Sequence, residues 1–155
     1  MFSTNILAQE IIGIPKIVDG DTIYINNFKI RLEGIDAPEM KQKCKKEKLK
    51  ISSIIGYTFY EDYYCGKYSK ENLEAIVKGS EIKCISSTKD RYKRHLATCF
   101  KNKINLNRWM VRNGHAVAYR RYSKDYIQDE NYAKKNKIGL WSGDFIYPEK
   151  WRKLN

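Results

Sequence analysis

Apolar and polar residues alternate along two short stretches, Thr22–Ile25 and Phe28–Leu32, with Asn26 and Asn27 between them. Period-two alternation interrupted by residues that tolerate positive φ predicts a β-hairpin with a two-residue turn. The β-branched run 11–18 predicts a strand before the hairpin. Pro15 has no amide proton to donate, so that strand belongs at an edge or a bulge. Residues 81–85 and 96–100 supply the fourth and fifth strands. Between the third and fourth, Leu73, Ile76 and Val77 share one helical face, which predicts a helix over 66–78 with Gly79 as its stop. A second helix is expected over 106–112, ended by Asn113 and Gly114, and a third over 123–137, ended by Gly139. Trp141, Phe145, Pro148 and Trp151 form an apolar tail expected to pack back on the body.

Some stretches carry weaker patterns. Residues 40–50 hold six lysines and read as a mobile, solvated loop, with phosphate contact as the lesser alternative. Residues 51–64, with Ile51, Ile54, Ile55, Phe59 and several tyrosines, show neither period. There is no internal repeat or linker, so 11–155 is read as a single domain. Residues 1–10 lack the basic start and long apolar core of a complete signal peptide, yet Ile6, Leu7 and Ala8 resemble the end of one. They are read as a leader remnant or a disordered N-terminus, and the expectation leans towards a secreted or periplasmic protein.

Taken together, the pattern describes a small α+β protein with a curled sheet. The hairpin sets Asp21 opposite Leu32, so on a flat sheet Asp36 would lie roughly 13 Å further along at ~3.3 Å per residue. Carboxylates that far apart share no ion. The sheet is therefore expected to bulge or curl, at Gly20 and Gly34.

Composition narrows the partners. Of 155 residues, 30 are Lys or Arg and 18 Asp or Glu, a formal charge of +12 that favours polyanions. Nucleic acid comes first and an anionic membrane second; the plainer alternative is a basic protein with no such partner. No apolar run approaches the ~20 residues of a membrane span, and no basic amphipathic helix supports a membrane-active protein. Cys44, Cys65, Cys84 and Cys99 contain no Cys-x-x-Cys pair, which argues against zinc. Cys84 and Cys99 lie in two apolar segments that could be neighbouring strands. The pairing taken forward is Cys84–Cys99 with Cys44–Cys65, one of three connectivities, against the alternative of four reduced thiols. Disulfides would imply an oxidising compartment.

The candidate chemistry lies between residues 19 and 39, where Asp19, Asp21, Asp36 and Glu39 surround Arg31. Asp-Gly-Asp is also ordinary turn chemistry. An EF-hand is excluded, because its sixth and twelfth positions would be Tyr24 and Ile30. Hard oxygen donors without nearby His or Cys favour calcium or magnesium. His95 and His115 show no metal or triad spacing and receive no role.

Three blocks in order, Asp19 to Thr22, then Arg31 to Glu39 with Asp36-Ala37-Pro38 inside it, then Asp90, Arg91, Tyr92 and Arg94, resemble the staphylococcal nuclease (thermonuclease) family over roughly residues 14–142. The resemblance implies a five-stranded Greek-key OB-fold β-barrel with three helices. It further implies a calcium-dependent phosphodiesterase acting on DNA and RNA, preferring single-stranded or open regions and leaving 3′-phosphate ends. Calcium would be bound by Asp21, Asp36 and the carbonyl of Ala37, where the family more often has threonine, with Asp19 acting through water. Glu39 matches the general base, and Arg31 and Arg94 match the arginines that meet the phosphate. Lys93 replaces the usual glycine before Arg94, which puts that turn in question. Tyr92, Tyr119 and Tyr122 are candidate substrate contacts, although with 12 tyrosines ordinary packing is the commoner role for any one. A monomer is expected. The rival reading is a non-catalytic nucleic-acid-binding module on the same barrel.

Overall fold

A computed structural model describes residues 7–48, 56 and 58–155. Residues 1–6 of the leader-like stretch, and Ile51, Ile54 and Ile55 of the unpatterned one, lie outside the described residues.

The predicted first strand is interrupted before Pro15, giving β1 (Gln9–Gly13) and β2 (Lys16–Ile17). It starts two residues earlier than expected, so Gln9 and Glu10 belong to the sheet. The hairpin forms as read, with β3 (Thr22–Ile25) against β4 (Phe28–Leu32), and Asn26 takes φ 51° at its turn. β8 (Ile82–Lys89) and β9 (His95–Lys101) form a second hairpin. Their neighbours run in the order β1-β8-β9-β4-β3-β2, with β4 and β9 parallel. A short strand, β10 (Ile104–Asn105), adds to β9. This curled sheet is the half-barrel of an OB-type α+β fold.

Alternation sets its inner face. Ile23, Ile25, Ile30, Leu32, Ile82 and Cys84 are each 2% exposed or less. Burying an aliphatic side chain of this size contributes about 1.5–3 kcal/mol. Helix α1 (Cys65–Val77) closes one side by burying Cys65, Ser69, Leu73 and Val77, a stripe of every fourth residue. Gly79, at φ 68°, follows its end. Helix α2 (Leu106–Arg112) adds Leu106, Met110 and Val111 to the same core. Its buried Asn107 accepts from Cys99 N and donates to the carbonyls of Glu33 and Ala97. That one side chain ties the helix to β9 and to the turn that follows β4.

Four helices occur among the described residues where three were expected. Helix α3 (Ile127–Lys135) is shorter than the predicted 123–137. The apolar tail does pack back, with the rings of Trp141, Phe145 and Tyr147 in mutual contact, but it then forms α4 (Pro148–Leu154). The lysine-rich stretch is a correction. Lys43–Glu47 is not a loop but strand β6, paired in full with β7 (Tyr60–Tyr64). Cys44 is its buried residue and bonds to Cys65; Cys84 bonds to Cys99, its direct partner across β8 and β9. No helix among the described residues is long and apolar enough to cross a membrane.

Candidate active site

Two glycines bring the acidic residues together. Gly34, at φ 77°, turns the chain sharply after β4, and β5 (Ile35–Asp36) then pairs with β11 (Val117–Ala118). Buried Glu130 of α3 holds β11 in place by accepting from Ala118 N at 3.1 Å. Gly20 serves close packing instead, since a side chain there would strike Ser69 of α1 and Ala37. The register is the expected one, with Leu32 N donating to the Asp21 carbonyl. The fold-back removes the long separation of a flat sheet, because Ala37 N donates to Asp21 Oδ2 at 2.7 Å.

Arg31 rises from β4 on the face opposite buried Ile30 and Leu32. Its Nη1 lies 3.0 Å from Asp21 Oδ2 and its Nη2 3.2 Å from Asp36 Oδ1. Nη1 also donates to the Ile35 carbonyl at 3.1 Å. Burial works against its charge, but Asp21 and Asp36 outweigh it and hold the guanidinium above its ordinary value. Burial likewise raises the Asp36 carboxyl, with Arg152 and Arg31 opposing. Asp19 turns back to accept from Asp21 N at 3.0 Å. Its burial, and then the charge of Asp21, push it up to about 6.

Arg152 of α4 is a site residue that the sequence reading missed. Its Nη1 is 3.0 Å from both Asp36 Oδ1 and Glu39 Oε1, and its Nη2 is 3.0 Å from Asp36 Oδ2. Locally, Pro148 at the helix start and Glu149 in the first turn signal a helix. No local signal says where that helix goes.

Glu39, Arg31, Asp21 and Arg152 line one open cleft of about 970 Å³, whose far wall is the tip of the β8–β9 hairpin. There Asp90 accepts from the backbone of Tyr92 and Arg94 and pairs with Arg94 Nε at 2.8 Å. Lys93 takes φ 63°, so the turn keeps the left-handed geometry for which glycine is usual. Tyr92 is exposed beneath the guanidiniums of Arg91 and Arg94, at 4.8 and 5.5 Å from its ring centre. Tyr119 and Tyr122, rings 5.0 Å apart, also face the cleft. His95 and His115 do not line it. Burial pushes His115 down to about 4, and its ring packs against Tyr68 and Trp109.

Whether the site suits a divalent cation can be judged from its donors. Among the described residues, no group of three or more His, Cys, Asp or Glu side chains converges as a metal cluster. The donors on offer are the side chains of Asp21 and Asp36 and the carbonyl of Ala37, whose amide already meets Asp21. Around the floor of the cleft, the carboxylates Asp19, Asp21, Asp36 and Glu39 outnumber the two arginines that meet them, Arg31 and Arg152, which favours a cation there. An all-oxygen set with this residual charge fits a hard divalent ion.

Comparison with known proteins agrees with the geometry. Residues 29–143 match the staphylococcal nuclease homologue family. An uncharacterized endonuclease of Haemophilus influenzae is 34% identical over 148 residues, covering 90% of this chain and 71% of that protein. An uncharacterized endonuclease of Escherichia coli O157:H7 is 32% identical over 161 residues, covering 98% and 92%. The succinoglycan biosynthesis protein ExoI of Rhizobium meliloti is 35% identical over 137 residues, covering 86% of this chain and 66% of that protein. Architecture, clustered residues and these matches lead to one conclusion: the chain belongs to the staphylococcal nuclease family.

Proposed function

We propose that the protein is a calcium-dependent nuclease that hydrolyses phosphodiester bonds in DNA and RNA, preferring open strands. The observation that carries this reading is Glu39 beside the buried Asp21–Arg31–Asp36 cluster, in a cleft rimmed by Arg94 and three tyrosines. Family membership and the endonuclease names of two relatives support a nuclease. The +12 charge favours a polyanionic substrate.

In this mechanism Tyr92, Tyr119 and Tyr122 stack against unpaired bases and bring a phosphate over the floor of the cleft. Glu39 takes a proton from a water molecule as its oxygen attacks phosphorus. Arg31 and Arg94 offset the charge that grows on the equatorial oxygens. The 5′ P–O bond breaks, the leaving oxygen takes a proton from solvent water and departs as a 5′-hydroxyl, the proton held by Glu39 returns to solvent, and the phosphate stays on the 3′ side. Calcium, held by Asp21, Asp36 and the Ala37 carbonyl, would supply positive charge to the non-bridging oxygens. The two disulfides support work in an oxidising compartment, outside the cytosol.

Digestion of heat-denatured DNA tests the reading. With calcium the wild type should cut, EGTA should stop it, and Glu39→Gln should be slower by ~10²-fold or more. Intact binding without any cutting would make the chain a nucleic-acid-binding module instead.

A further inference from the structure

The cluster has a third arginine, and its position is unlike that of the other two. Arg31 sits below Asp21 and Asp36 on a central strand. Arg94 stands on a hairpin tip. Arg152 reaches in from α4 and joins Asp36 to Glu39 through one nitrogen, Nη1, 3.0 Å from an oxygen of each. Nη2 completes a two-pronged grip on Asp36, so the guanidinium plane is fixed. Of the two Glu39 oxygens, Arg152 engages Oε1.

A second tie runs beside the first. Gln42, fully buried, accepts from Glu39 N at 3.3 Å and donates to the Ile146 carbonyl at 2.6 Å. Ile146 leads directly into α4. The C-terminal segment therefore holds Glu39 twice, by its backbone through Gln42 and by its carboxylate through Arg152. The segment is itself anchored, with Phe145 and Tyr147 packed on Trp141 and Pro148 buried. A glutamate that must aim one oxygen at a water molecule loses rate whenever its side chain wanders.

We infer that Arg152 is a positioning residue for Glu39: it fixes one carboxylate oxygen against Asp36 so that the other is presented to the attacking water. This rests on the nuclease reading above. Arg152 acts through Glu39 and not through phosphate, so it governs turnover more than substrate binding.

The experiment is a double-mutant cycle on the full chain, using Arg152→Ala, Arg152→Lys, Glu39→Gln and the Arg152→Ala/Glu39→Gln pair. On single-stranded DNA with calcium, Arg152→Ala should lower kcat by ~10- to 100-fold and leave KM within about 3-fold. Arg152→Lys, with the charge but no fork, should recover part of the loss. Added to Glu39→Gln, Arg152→Ala should cost almost nothing more. Losses that multiply, a KM that carries the effect, or a faster Arg152→Ala enzyme would each overturn the inference. Two readouts do not depend on cutting. Calorimetry with calcium alone should show binding retained in Arg152→Ala, because that change removes a neighbouring positive charge; lost binding would make Arg152 a prop of the cation site instead. Hydrogen exchange over residues 148–155 should quicken in Arg152→Ala; unchanged exchange would show that the bridge holds nothing. A wild type that never cuts, combined with the expected exchange result, would remove the nuclease reading and leave the bridge.

Discussion

Arg31 and Arg94 carry the same guanidinium into the same cleft, and the protein holds them by opposite means. Arg31 is 12% exposed, grows from a central strand, and touches two buried aspartates, one on each side of it in the chain. Arg94 pairs with Asp90 four residues away, on a hairpin whose other supports are Asp90's own hydrogen bonds to the local backbone. One charge is part of the fold and the other is mounted on it. Removing a partner from a buried ion pair leaves uncompensated charge in a poor solvent. Removing Arg94 from its half-buried local pair leaves Asp90 still held by the backbone amides of residues 92 and 94 at the edge of solvent.

That contrast can be broken by measurement. The largest effect should come from Arg31→Ala, which strands Asp21 and leaves Asp36 with Arg152 alone: a loss of about 3–5 kcal/mol in urea unfolding, together with a loss of ~10²–10³ in cutting rate. Arg94→Ala should match it in rate, at ~10²–10³-fold, while stability changes by less than about 1 kcal/mol. Equal stability losses in the two variants would show that floor and rim are not distinct. The smallest effect should come from Lys93→Gly. It relieves a left-handed backbone at a cost in chain entropy, so unfolding should shift by no more than about 1 kcal/mol towards stability, with cutting unchanged. A large loss of activity there would mean that the lysine side chain itself contributes.

The same division explains what the sequence could disclose. Ile23, Ile25, Ile30 and Leu32 announce the hairpin because alternation and burial are both local there. Asp21, Arg31, Asp36 and Glu39 are close in sequence, so their gathering needs one sharp turn, and Gly34 stood out for it. Strand β6 was hidden because its outward residues are three lysines and a glutamate and its one buried side chain, Cys44, gives no period. Only its pairing with distant β7 makes it a strand. Arg152 was hidden for a related reason. Nothing near it in the chain distinguishes it from the other basic residues of α4, and its meaning comes from carboxylates 113 and 116 residues away.

Those separations have a consequence for how the molecule assembles. A contact closed over more than a hundred residues needs the intervening chain to be compact first, since loop closure costs entropy before the contact returns any. The hairpin and α1 can form from neighbouring residues, but the bridge from Arg152 to Asp36 and Glu39 can form only once the half-barrel and the tail have met. In refolding, the spectroscopic signal of the sheet should therefore recover before the ability to cut. The capacity to destroy nucleic acid would arrive last, after the chain has already become a protein.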